Sequence, residues 1–334
     1  MIWIAHTAVG KDALASDIGV LDEIEGVTLA LKELGLPYQT ISPEPSLLDF
    51  LSRLVKEKDH SVIFNLVESF RGNPWGESWI ASFYEAFDLA YTGAPPETLA
   101  LCLDKRRARA VLQHCGFPVA PGLPVNHLDF SQKGIEFPAI LKPACRDASE
   151  GLSPECVVQD LDALKQRAEQ MFREGFFPLL LEKYIDGREF AVTVIQRDEW
   201  MVVSVFEVDF SGLPADHPKI LCFDAKWGYD TTAYHGTLTN PLQGDEEIKQ
   251  RLSEIALAVV QEMGLRDYGR VDFRYSEDGQ PFVIDVNPNP DISHEGGFYR
   301  ALASAGITFV EFVKQLIANA EKRRDEPTKI IGCG

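Results

Sequence analysis

Residues 270–293 read RVDFRYSEDGQPFVIDVNPNPDIS. Two runs rich in apolar, aromatic and β-branched residues flank the turn-forming residues 276–280, so consecutive strands joined as a hairpin are expected. Strand side chains alternate between faces, and residues opposite each other on neighbouring strands meet. Asp272 and Asp285 can then share one face, with Asn287 beside them. Three protein oxygens, completed by phosphate and water, are a common way of holding magnesium. For one aspartate alone, a hairpin turning polar residues to solvent is an equal alternative. RxDF followed by DxN across a turn favours the metal.

Working outward, three lysines lie among apolar residues rather than in charge runs: Lys105 in LDKRRAR, Lys142 in ILKPA and Lys226 in DAKWG. Each alone reads as a surface lysine. Together, in an acidic chain, they form a credible phosphate clamp. Asp147-Ala148-Ser149-Glu150-Gly151 follows Lys142 as a small loop whose N–H groups could face phosphate oxygens, a weak pattern taken alone. Neither GxxxxGK[ST] nor GxGxxG occurs, which argues against a P-loop and a dinucleotide fold. In PLLLEKYIDGREF, an apolar run enters Glu182 and Glu189 stands seven positions on. This could frame a nucleotide, with backbone groups for adenine and a carboxylate for ribose. A charged linker remains the alternative.

The chain has 334 residues, with 32 Lys and Arg against 51 Asp and Glu, a formal charge of -19. At roughly 100–200 residues per domain, two or three units are expected. The charge disfavours nucleic-acid and anionic-membrane partners, so an anionic ligand must meet a local basic cluster. The start, MIWIAHTAVG, lacks the order of a secretory signal, and no apolar stretch matches a membrane span. Cys102, Cys115, Cys145, Cys156, Cys222 and Cys333 form no CxxC pair, so buried free thiols in a cytoplasmic enzyme are expected. Strands over residues 2–6, 38–42 and 61–66 alternate with helices over 22–35 and 46–57, which implies a parallel sheet. A single helix is expected over 99–115, and others over 160–173, 245–263 and 309–322. Residues 209–240 read as a long polar loop after a strand over 200–208.

Taken in order, YTG…LDK (residues 91–105), KPACRDASEGLS, LEKYIDGREF and RVDF…IDVNPNP resemble the ATP-grasp superfamily, and within it the D-alanine–D-alanine ligase branch. The resemblance covers residues 2–313. It implies an α/β (α+β) ATP-grasp fold, with an N-terminal parallel α/β domain over 1–98 and two lobes clasping ATP over 99–188 and 189–325. A loose tail is expected over 326–334.

The resemblance also implies roles. The ATP-clamping lysines fall on Lys105, Lys142 and Lys226, and the adenine strand and ribose carboxylate on Glu182, Lys183, Ile185 and Glu189. The ligands for magnesium, with manganese as a substitute, fall on Asp272, Asp285 and Asn287. The transition-state arginine falls on Arg270 and the lid serine on Ser149. Together with Lys226, these two are the expected catalytic residues. The implied reaction joins a carboxylate to an amine through an acyl-phosphate. A phosphotransferase on the same scaffold and an inactive nucleotide-binding regulator are the alternatives. A homodimer is the family-level expectation.

This chain departs from the family pattern where the amino-acid substrates are held. Asp147-Ala148-Ser149-Glu150-Gly151 stands for Gly-Ser-Ser-x-Gly, Trp227 for a tyrosine, and Asp291 for a glycine. Asp22, Glu23 and Glu25 lie near the position where the family uses a glutamate to hold an amino group, and Glu23 is taken as its counterpart. Glu23, Trp227, Asp291, Ser293 and His294 are therefore the expected substrate-binding residues. Poor activity with D-alanine pairs is expected, and better activity with a substrate that carries an additional amine or lacks one carboxylate.

Overall fold

The structure, a computed structural model, describes residues 1–10, 15–130, 134 and 136–325, with the side chains of residues 15–18 excepted. The expected loose tail over 326–334 and Cys333 lie outside the described residues. The chain opens with β1 (Ile2–His6), α1 (Ala15–Glu33), β2 (Tyr38–Ile41), α2 (Leu47–Lys56) and β3 (Val62–Leu66). These strands form a parallel sheet in the order β2-β1-β3, as their alternation with helices predicts. Period-two alternation divides β1 between two cores. Ile2 and Ile4 pack with Val27 and Leu31, while Trp3 and Ala5 pack with Phe50 and Leu54.

Next come α3 (Gly76–Ala86), α4 (Pro96–Leu103) and α5 (Lys105–His114). The single helix expected over 99–115 is broken here. Asp104 leaves helical geometry (φ −88°, ψ 91°), and its fully buried carboxylate accepts the Arg106 N–H at 3.2 Å. An aspartate satisfies an orphan N–H better as an N-cap than inside a helix, and Arg106 and Arg107 neutralise it. The break puts Lys105 at the first position of α5.

A four-stranded sheet follows, built from β4 (Gly122–Val125), β5 (Ala139–Pro143), β6 (Val157–Val158), α6 (Leu161–Arg173) across one face, and β7 (Leu179–Lys183), in the order β4-β7-β5-β6. The last sheet comprises β8 (Gly187–Gln196), β9 (Trp200–Asp209), β10 (Leu238–Pro241), β11 (Tyr268–Ser276) and β12 (Pro281–Asn287), in the order β10-β9-β8-β11-β12. The expected loop over 209–240 instead contains α7 (Phe223–Trp227) and α8 (Thr232–Gly236). These single turns are too short to show helical periodicity. α9 (Glu246–Glu262) covers the core face of the last sheet, burying Leu252, Ala256 and Val259 against Val192, Val271 and Phe273. Finally α10 (Gly297–Ser304) and α11 (Phe309–Asp325) return to the first sheet, where Phe312, Leu316 and Ile317 join Ile2 and Ile4.

The expected burial of the free thiols holds for only some of them. Cys102, Cys156 and Cys222 are buried and free, but Cys145 is half-buried and Cys115 is exposed. Among the described residues no single helix is long and apolar enough to cross a membrane.

Candidate active site

The hairpin of β11 and β12 forms as its sequence predicts, closed by the Ser276 N–H on the Gln280 carbonyl at 2.9 Å. Its register sets Asp272 opposite Asp285 and Arg270 opposite Asn287. An irregularity follows at once, because Phe273 pairs with Val283 and leaves Ile284 as the extra residue. Such bulges re-aim neighbouring side chains. Val271 and Phe273 turn into the core, so Arg270 and Asp272 share the other face.

On that face the charges interlock. The Arg270 guanidinium forks onto Asp272, Nε to Oδ1 at 2.7 Å and Nη2 to Oδ2 at 2.8 Å. Lys105 Nζ lies 3.2 Å from Asp285 and 3.1 Å from Asp147. Burial alone would raise the Asp285 carboxyl, but Lys105 and Arg270 outweigh it and hold the group below the usual range. Conversely, burial opposes the Lys105 ammonium, yet Asp285 and Asp147 push its pKa upward. Lys226 is depressed by burial and then by Arg270, despite Asp272 and Asp285 nearby.

Two facing carboxylates and the Asn287 carboxamide make an all-oxygen donor set that fits a hard divalent cation. Among the described residues no group of three His, Cys, Asp or Glu could hold a metal. The set therefore suits an ion that keeps water and phosphate ligands, as magnesium does.

Lys142, at the end of β5, donates to Glu182 at 2.9 Å, and Arg109 Nε lies 3.5 Å from the same buried carboxylate. Lys105, Arg109, Leu180, Glu182 and Asp285 line one cleft, which joins the second sheet to the β12 carboxylate. The Lys183 ammonium pairs with Glu136 at 3.1 Å on the outside, while its N–H donates to Pro121 O at 2.7 Å. Ile185 is buried and its carbonyl accepts Arg274 Nε at 2.9 Å and Nη2 at 2.7 Å. The same guanidinium reaches Glu189 at 3.0 Å. Burial raises Glu189 against the pull of Arg274. Arg274 and Arg109 thus hold two of the expected nucleotide carboxylates. Sequence reasoning passed over both arginines, although the spacing of Arg274 from Arg270 and Asp272 on one strand was a usable signal.

The loop over 147–151 is bent by consecutive left-handed residues, Ala148 (φ 52°) and Ser149 (φ 62°). Non-glycine residues adopt this conformation at a cost of roughly 1–2 kcal/mol each, so something must hold them. The Ser149 hydroxyl donates to Leu221 O at 2.8 Å and the Trp227 indole N–H to Ala148 O at 3.1 Å. Phe223 N–H adds a bond to Leu152 O at 3.0 Å. The loop is therefore clasped to α7 and the segment before it.

A second group of acids gathers around α1, α3 and the segment after β12. Glu23 of α1 is 4% exposed and accepts the Ile292 N–H at 2.8 Å. Its carboxyl is raised by burial, then by Glu68 and Asp291. Asp291 accepts the Ser293 N–H at 2.8 Å. Glu77 of α3, also buried, is raised by burial and by Asp147, while Asn289 donates to it at 2.8 Å. Glu23, Asp291 and Ser293 are thus brought together and Trp227 joins the loop. His294 is not gathered with them: its side chain is 72% exposed and its ring lies 4.2 Å from that of Tyr299. The sequence does not single out Glu68, Glu77 or Asn289: Glu68 is a lone acid after a strand, and Glu77 opens a helix that no capping signal announces.

Residues 111–318 match the family described as D-ala D-ala ligase C-terminus. The chain belongs to that family. It is 28% identical over 248 residues to a D-alanine–D-alanine ligase of Hydrogenovibrio crunogenus, covering 73% of this chain and 74% of the relative. It is also 26% identical over 303 residues to the uncharacterized protein y4sG of Sinorhizobium fredii, covering 90% and 87%. Two crystal structures of the D-alanine–D-alanine ligase of Bacillus anthracis share its fold. The one complexed with ATP aligns with a TM-score of 0.74 at 17% identity over 97% of this chain and 98% of that one. The other gives 0.75 at 19% over the same shares. The expected ATP-grasp fold is therefore present, in a divergent member of this ligase family.

Proposed function

We propose that this protein is an ATP-dependent carboxylate–amine ligase that forms an amide between amino-acid-like substrates through an acyl-phosphate. The observation that carries the reading is the register of Asp272 against Asp285 with Arg270 forked beside them. Lys105, Lys142 and Lys226 supply the positive charge that phosphates require in a chain of -19. Glu182, Lys183, Ile185 and Glu189 frame adenine and ribose. Asp272, Asp285 and Asn287 would hold magnesium or manganese, which when bound neutralises charge on the transferring phosphoryl group.

In the proposed sequence, a substrate carboxylate oxygen attacks the γ-phosphorus and the bond to ADP breaks. The amine nitrogen then attacks the acyl carbon, phosphate leaves, and the amine loses a proton. Arg270 stands ready to stabilise the tetrahedral oxyanion. The loop carrying Ser149, clasped by Trp227, keeps water from the acyl-phosphate. An oxyanion arginine is of less use to a phosphotransferase, which places that reading second. A cytoplasmic setting, where ATP is at hand and free thiols stay reduced, suits this activity.

Glu23 and Asp291, with Glu68 near, favour a substrate bearing an additional ammonium group and disfavour a free carboxylate there. The test is a screen of amino-acid pairs, including D-alanine with itself and with diamino acids, for ADP release, with products weighed by mass spectrometry. Amine-dependent ADP release with an amide product supports the reading. Efficient D-alanyl-D-alanine formation would overturn the substrate preference, and a stable phosphorylated product the reaction.

A further inference from the structure

Asn289 makes three hydrogen bonds, through its side-chain oxygen, its side-chain nitrogen and its main-chain N–H. Its Oδ1 lies 2.6 Å from the Tyr268 hydroxyl, its Nδ2 donates to Glu77 Oε1 at 2.8 Å, and its main-chain N–H donates to Asn287 Oδ1 at 2.9 Å. The amide nitrogen thus faces the Glu77 carboxyl and the amide oxygen faces the Tyr268 hydroxyl, which donates to it. The anchors are rigid, since Tyr268 is 1% exposed and Glu77 9%.

The sequence explains why one N–H matters. Pro288 and Pro290 flank Asn289 and have no main-chain donor, so its N–H is the only one between residues 288 and 290. That N–H occupies one lone pair of the Asn287 oxygen and fixes the carboxamide's rotation.

We infer that Asn289 is a positioning residue: held between Glu77 of α3 and Tyr268 of β11, it aims the Asn287 oxygen beside Asp272 and Asp285. The N-terminal unit thereby helps shape the proposed cation site. The inference rests on the metal assignment of the proposed function, and its test separates the two.

The probe is Mn2+ with a non-hydrolysable ATP analogue, followed by electron paramagnetic resonance alongside thermal melts. N289D places a carboxylate against Glu77 and should weaken Mn2+ binding about tenfold, the scale of lost support behind a metal ligand. The exchange E77Q/N289D reverses donor and acceptor and keeps both the bond and the total charge. It should bring affinity back to within about threefold of wild type, as coupled neighbours do. Unchanged Mn2+ affinity in N289D overturns the inference. So does a double variant that melts like wild type yet binds no better than N289D. Should the wild-type chain show no nucleotide-dependent Mn2+ binding that D285A removes, the metal assignment itself fails, and this inference with it.

Discussion

Replacing Lys105 by methionine keeps the stem and removes the charge that Asp285 and Asp147 share. Unit charges 3.2 Å apart attract by roughly 5 kcal/mol at an effective dielectric near 20. Desolvating the ammonium offsets much of this, and the Asp147 arm, with a 51% exposed side chain, is strongly screened. A net loss of about 2 kcal/mol in stability is expected, below the figure for a fully buried pair. For ATP, a lost charge-assisted contact of about 1.5–3 kcal/mol corresponds to roughly 10–150-fold weaker binding. Calorimetry with a non-hydrolysable analogue at fixed salt reads the second effect, and thermal melts read the first. The pH dependence should move too. Asp285's folded pKa lies below its ordinary value, so its stabilisation is present above the ordinary carboxylate range and is lost as pH falls through the folded value. Without Lys105 that folded value rises, and acid unfolding should begin at higher pH. If K105M melts as expected but binds the analogue like wild type, Lys105 is a structural cation and the clamp assignment is wrong.

D285A should abolish ADP formation while its circular dichroism stays native, and near-normal turnover would remove Asp285 from the site. For Glu23 the sign is opposite to Asp285: burial raises its folded pKa, so it costs stability as pH rises through that value. E23Q should therefore melt higher than wild type at neutral pH. Wild type should show a rise in kcat/KM for an amine substrate as pH increases through the Glu23 value, and E23Q should lack that rise. W227F keeps an aromatic ring but drops the bond to Ala148 O, worth about 1 kcal/mol, and should raise product-free ATP hydrolysis about fivefold, measured as ADP formed per amide.

How much the sequence revealed follows from how local each signal is. The β11–β12 hairpin was legible because alternation, a tight turn and paired acids all lie within one short stretch. The parallel sheet of β1 to β3 was legible because short apolar strands alternate with helical stretches, each readable from its own residues. The break at Asp104 was not, since its neighbours are good helix formers and only the buried carboxylate's hydrogen bonds reveal the cap. Helix α3 follows a turn without a cap signal, so it and Glu77 went unread. The return of α11 to the first sheet was equally hidden, because an apolar stripe says that a face is buried but not against what. His294 was grouped with Ser293 by adjacency, yet neighbouring residues outside a regular element need not face the same way.

In the proposed reaction a substrate carboxylate becomes an acyl-phosphate before the amide forms. The most direct test of this step uses a substrate found active in the pair screen, with both carboxylate oxygens labelled as 18O, together with ATP, Mg2+ and the amine partner. The phosphate released is then analysed by mass spectrometry. An acyl-phosphate route places one 18O atom in each phosphate, in step with the amide formed. Unlabelled phosphate accompanying amide formation, or label retained in a stable phosphorylated product with no amide, would contradict it.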